Sequence, residues 1–131
     1  MELHLRIAGG IMIFLAFLHF IFPKHFKWKN ELNALSLVNR QLMYVHTFFI
    51  ALVVLLMGVF CIYSADDLVK TSLGKQLCFG LFIFWGVRLV FQFFVYSSEL
   101  WKGKRFETWV HVLFSVLWSY FTLVFLLIYL Q

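Results

Sequence analysis

Acidic side chains are scarce: six Asp and Glu stand in 131 residues, and none falls inside the long apolar runs. Without an acid in those runs, a di-iron carboxylate site of the helical-bundle kind is excluded. Cysteine is nearly absent too. Cys61 and Cys78 form no CxxC pair, so a thioredoxin-like or quinone-linked dithiol mechanism is excluded. They lie near facing ends of neighbouring apolar runs, which leaves a disulfide between them geometrically open. No CxxCH, HExxH or Glu-x-x-His motif occurs, and no serine elbow or phosphate-cradling glycine loop. Charged residues make up 13% of the chain against about a quarter in soluble domains, so a soluble fold is unsupported. The net charge of +5 is spread over the polar connections, with no basic face and no zinc-finger spacing, which argues against nucleic acid as a partner.

What fills the chain instead is apolar and aromatic: 63% hydrophobic, with eighteen Phe and five Trp, suited to a lipid-facing surface with interfacial aromatic anchors. Apolar runs cover 3–22, 40–63, 75–96 and 108–130. Each approaches the roughly 20 residues that cross a hydrocarbon core, and lipid demands helices of such runs. The first contains the flexible Ala8-Gly9-Gly10 step, closes at Pro23, and has no small-x-small cleavage site before it, so it reads as a retained helix. The expected fold is all-α and integral to the membrane: one domain over 1–131, a four-transmembrane-helix bundle running up-down-up-down.

The connections carry orientation. Lys24, Lys27, Lys29, Arg40, Lys102, Lys104 and Arg105 make seven cations on one side, against Arg6, Lys70 and Lys75 on the other. The positive-inside rule then puts 23–39 and 97–107 in the cytoplasm and both termini outside. Within the first connection, Trp28, Leu32 and Leu35 share a helical face, which predicts a short interfacial helix between the first two spans. Ser36 is a candidate N-cap for the second span and Ser72 for the third, with Ser64-Ala65-Asp66-Asp67 as an acidic turn between them.

Arg88 stands alone in the third run. An arginine at a membrane centre costs roughly 2.5–3.5 kcal/mol on insertion scales, so it marks a functional site and needs a partner. Trp85, Arg88, Gln92 and Tyr96 fall at spacings of three, four and four, on one helical face that must look inward. In the fourth run Thr108, His111, Ser115, Ser119 and Thr122 line a second stripe, with Trp118 at its edge. That stripe reads either as part of the site or as a packing seam whose hydroxyls bond their own backbone. Asn39 and His46 share a face of the second run, and His19 ends the first. By depth, His19, His46, His111 and Gln92 reach one layer on the cytoplasmic side.

Acceptors for Arg88 are then helix carbonyls, Asn39, Tyr44, or a ligand. A planar guanidinium suits a carboxylate or phosphate, so an anionic, lipid-like or small hydrophobic ligand is the leading expectation. Its site would comprise Arg88, Gln92, Trp85, Tyr96, Asn39, Tyr44, His46, His111 and Ser115. A redox alternative uses two histidines on a haem iron with Arg88 on a propionate, or His19, His46 and His111 around a metal ion. A third reading makes the stripes assembly surfaces of a homo-oligomer or of an accessory subunit in a larger membrane complex.

Asn39-Arg40-Gln41 with Tyr44-Val45-His46, followed by Trp85-Gly86-Val87-Arg88-Leu89 and Gln92-Phe93, resembles a group of small four-helix bacterial membrane proteins. The likeness spans the second and third runs, and the layout is similar in outline to DoxX-type proteins. The resemblance implies a bacterial inner-membrane setting and brings no activity or ligand with it.

Overall fold

The computed structural model describes all 131 residues; it is 86% helical and contains no strand. Seven α-helices follow one another: α1 (Glu2–Leu18), α2 (Phe22–His25), α3 (Trp28–Glu31), α4 (Leu37–Tyr63), α5 (Ala65–Lys70), α6 (Ser72–Phe94) and α7 (Arg105–Leu130), with 3₁₀ turns at Leu32–Ala34 and Ser98–Leu100. Three of them, α4, α6 and α7, are long and apolar enough to cross a membrane. The first run forms a shorter helix than expected. After Leu18 the amides of His19, Phe20 and Ile21 bond three residues back, and the chain turns so that Pro23 enters the first turn of α2, where its missing N–H costs nothing. At about 1.5 Å per residue, α1 is about 25 Å long, short of a roughly 30 Å core.

The chain divides into two compact units, one formed by Leu3–Ala65 and the other by Met1–Glu2 with Asp66–Gln131. In the first unit, α1 buries Leu5, Ala8, Gly9, Met12, Leu15 and Ala16, and α4 buries Ala51, Val54, Gly58 and Cys61. Both stripes repeat every three or four residues, as packed helical faces do. They meet at glycine. A Cβ on Gly9 would stand 2.6 Å from the Gly58 carbonyl oxygen, and one on Gly58 would stand 2.7 Å from that of Gly9. The Ala8-Gly9-Gly10 step therefore serves close packing, not flexibility, at Gly9; Gly10 faces open space. Small residues at such a crossing let backbones touch where lipid leaves no hydrophobic force to join helices.

Ser36 caps α4 as expected, its Oγ accepting from the Asn39 amide at 3.4 Å. The expected interfacial helix is broken into the four residues of α3 and the following 3₁₀ turn, and Lys27 precedes it with φ 53°. That left-handed residue prevents α2 and α3 from continuing as one helix. Trp28 is buried edge-on against Tyr44, with ring centroids 5.3 Å apart, while Leu35 is exposed.

In the second unit the acidic turn is helical: Asp66 and Asp67 open α5, where carboxylates favour a helix N-terminus. The cap of α6 is Thr71, one residue before the expected Ser72; its Oγ1 accepts from the Gly74 amide at 2.9 Å. Cys78 is a buried free thiol of α6. The core seam of α6 runs through Gly74, Cys78, Trp85 and Gln92, with half-buried Leu81 and Arg88 filling the intervening positions at spacings of four and three. Helix α7 answers with Trp118, Phe121, Val124, Phe125 and Ile128. Arg88 thus lies in the seam between the two helices, one turn from each of its buried neighbours.

Candidate functional site

Gln92 is the centre of the arrangement. It is 7% exposed, the sole buried polar residue, and its amide makes three side-chain contacts. Arg88 Nη1 donates to Gln92 Oε1 at 3.4 Å, and Trp118 Nε1 donates to the same oxygen at 3.3 Å. Guanidinium and indole can only donate, so this oxygen assignment admits no flip. Gln92 Nε2 therefore donates to His111, whose Nδ1 lies 3.0 Å away and must accept. Two of these bonds join α6 to α7, the kind of polar contact that holds helices together in lipid.

Around the amide stands an aromatic cage. Trp85 and Trp118 stack at 5.1 Å with their planes 17° apart, Phe114 stacks on Trp118 in turn, and Phe121 packs tilted against both indoles. Arg88 Cζ lies 5.0 Å from the centroid of Trp118 and 5.4 Å from that of Tyr96, so the charge is spread over two π faces. Trp101 stacks on His111 at 4.6 Å from the connection between α6 and α7. That connection is tied down by Thr108, whose Oγ1 lies 2.7 Å from the Trp101 carbonyl oxygen and 2.6 Å from that of Lys104.

The hydroxyl stripe of α7 divides differently from the α6 stripe. Ser115, Ser119 and Thr122 each donate to the carbonyl four residues back, at 2.7, 2.8 and 2.7 Å. These protons are spent locally, which is the packing alternative for those residues. Ser115 therefore reaches the site only as a neighbour of His111 and Trp118.

Of the predicted residues, the structure assembles Trp85, Arg88, Gln92, Tyr96 and His111. Asn39, Tyr44, His46 and His19 belong to the Leu3–Ala65 unit, where each has local surroundings. Tyr44 packs on Trp28, Asn39 serves the Ser36 cap through its amide, and His46 is exposed on α4. His19 Nδ1 donates to the Leu15 carbonyl at 2.8 Å. No group of three or more His, Cys, Asp or Glu side chains is placed to hold a metal ion, so the three-histidine arrangement of His19, His46 and His111 finds no geometric support. Within the Asp66–Gln131 unit, the side-chain partners of Arg88 are Gln92 and two aromatic rings.

Trp118 is the residue that sequence reasoning undervalued. It follows His111 and Ser115 at helical spacing and so shares their face, but an indole in a phenylalanine-rich run reads as a membrane anchor. Tyr96 arrives by another route than expected. Helix α6 ends at Phe94, and the amides of Val95 and Tyr96 both bond the Phe91 carbonyl, so Tyr96 turns its ring towards Arg88 from outside the helix.

The donors of this site outnumber its acceptors. Gln92 Oε1 already receives two N–H groups, while Arg88 offers five. No carboxylate pairs with Arg88; the side-chain ion pairs of the structure are those of Lys70 with Asp66 and Glu2. Trp85 Nε1 is buried and has no hydrogen-bond partner at all. An unmet buried donor costs about 1–3 kcal/mol, so the seam is short of an acceptor by a definite amount. A shallow groove of about 500 Å³ at the start of α7 is lined by Gly103, Lys104, Arg105, Thr108, Trp109 and Val112, and includes none of these residues.

No protein-family model, curated protein or solved structure matches the chain, so function rests on the chemistry of these side chains.

Proposed function

We propose that this is a multi-pass membrane protein that binds an anionic, lipid-like ligand where α6 and α7 meet around Arg88. The observation that carries this reading is the donor excess at Arg88: a guanidinium with five N–H groups, no carboxylate partner and one long hydrogen bond at 3.4 Å. An acceptor-rich anion supplies what the seam lacks. The guanidinium is only half-buried, so such a group reaches it from the lipid without any opening of the core. Gln92, Trp118 and Tyr96 hold the side chain in place; His111 holds Gln92.

In the same reading α1 is a fourth, shorter crossing that completes an up-down-up-down bundle, and the turn from His19 to Phe22 makes up its missing length. The excess of lysine and arginine in 23–39 and 97–107 puts those connections in the cytoplasm of a bacterial inner membrane. Arg88 then lies towards the cytoplasmic leaflet.

Native mass spectrometry of protein purified in mild detergent tests the ligand. The wild type retains an anionic amphiphile, and Arg88→Gln loses it while keeping its helical circular dichroism. Equal retention by both proteins overturns the reading.

A further inference from the structure

The charge balance of the seam selects one class of anion, an inference that rests on the anionic-ligand reading above. Between Lys75 and Lys102, Arg88 is the only lysine or arginine, and α7 has none after Arg105. Across the seam, His111 Nδ1 faces the Gln92 Nε2 donor at 3.0 Å. The seam therefore offers one positive charge. A monoanion cancels it. A phosphomonoester, carrying about −1.5 to −2, leaves residual charge in an apolar surrounding. That mismatch is worth about 100-fold in affinity on membrane insertion scales.

Shape agrees with charge. The rings of Trp118 and Tyr96 cover the guanidinium, which leaves its N–H edge for the ligand. Two coplanar oxygens match that edge as a fork matches a fork. Beside Arg88, the exposed side of α6 is an apolar track. Phe84 and Val87 are both exposed, and Gly80, one turn before Phe84, has no atom within 4 Å of where a Cβ would stand. The track leads from Arg88 to the middle of the helix, away from the polar connection at Ser97. Ile83 and Phe91, also exposed, flank it, so an acyl chain lying along it stays on apolar surface.

We propose that the seam binds a long-chain monocarboxylate, a fatty-acid anion with its carboxylate on Arg88 and its chain along Val87, Phe84 and Gly80. Two variants separate head from tail. Arg88→Gln removes the charge. Gly80→Phe fills open space on the track without touching the head, so folding is spared.

The experiment places the protein in phosphatidylcholine nanodiscs and follows quenching of tryptophan fluorescence by a brominated stearate, with Trp85 and Trp118 as reporters. Quenching saturates in the wild type and is reversed by oleate, while oleoyl lysophosphatidate is about 100-fold weaker as a competitor. Arg88→Gln abolishes saturable quenching, and Gly80→Phe weakens it at least about tenfold with an unchanged melting temperature. Displacement by lysophosphatidate as good as by oleate overturns the monocarboxylate inference and leaves the anionic reading standing. Saturable quenching that survives Gly80→Phe at full strength overturns the assigned chain track. If neither amphiphile binds saturably, both proposals fall.

Discussion

In the Leu3–Ala65 unit, polar side chains bond nearby backbone: His19 the Leu15 carbonyl, Thr47 the Met43 carbonyl, and Ser36 the Asn39 amide as the cap of α4. The helices of that unit join through glycine, where Gly9 and Gly58 approach at backbone distance. In the Asp66–Gln131 unit, the joint between α6 and α7 is polar and aromatic. One amide, Gln92, holds Arg88, Trp118 and His111 at once. Both solutions serve helices that gain little from hydrophobic association in lipid. The glycine contact leaves nothing unsatisfied and has no chemistry to offer. The amide contact leaves donors over, and on the proposed reading those of Arg88 are what a ligand meets.

The sharpest way to break that contrast is at the glycine joint. Gly58→Leu drives a Cβ against the Gly9 carbonyl and Ile13, and neither backbone can move aside cheaply. The expected loss is about 3 kcal/mol or more. Gly10→Leu, in open space, leaves stability unchanged or slightly raised. Titration with sodium dodecyl sulfate, followed by circular dichroism, distinguishes the two; equal effects would mean that the contact is not a joint.

The amide joint comes next. Gln92→Leu orphans the Trp118 N–H and the Arg88 fork and breaks two bonds between α6 and α7, for an expected cost of about 2–3 kcal/mol. Tryptophan emission should shift as Trp118 loses its partner. A variant as stable as wild type would show that the network is ornamental.

Trp85→Phe sharpens the account of the donors. It gives up part of the stack on Trp118 and removes the unmet N–H, two effects of opposite sign, so in delipidated protein the net cost is about 1 kcal/mol. A cost beyond about 3 kcal/mol would mean that this N–H has a partner in solution. Ser115→Ala is expected within about 0.5 kcal/mol by the same denaturation assay, because its hydroxyl serves only the His111 carbonyl.

Lys70 gives the smallest effect. Its hydrogen bond and ion pair with Asp66, and to a lesser degree the charge of Glu2, raise its pKa above the usual lysine value. The sign follows: whatever this fully exposed pair contributes is complete below the ordinary lysine pKa and lost as pH rises through the raised one. Between neutral and mildly alkaline pH, Lys70→Ala should melt like wild type; a pH-dependent difference in that range would mean that the group is coupled to something else.

Much of this could be read along the chain. Arg88 was conspicuous because charge in an apolar run is costly, and the spacing of Trp85, Gln92 and Tyr96 put them on its face. Ser36 announced its cap by type and position. Other features were silent. Lys27 separates α2 from α3 by a left-handed backbone that no residue preference encodes. Gly9 looked like a flexible step because a glycine in a helix says only that a side chain is missing, not what fills its place. The helical form of Asp66–Lys70 was hidden by an acidic run that suits turns and helix starts alike.

Sequence alone determined that the chain is helical and membrane-like, since apolar runs of such length in lipid must satisfy their backbones internally. It determined too that Arg88 could not look outward at no cost. Only the tertiary structure decided what Arg88 meets. Helical spacing gives each helix its face, but the partner across the seam depends on register, and register is set by packing. That is why Trp118, not an acid or a carbonyl, lies over the guanidinium.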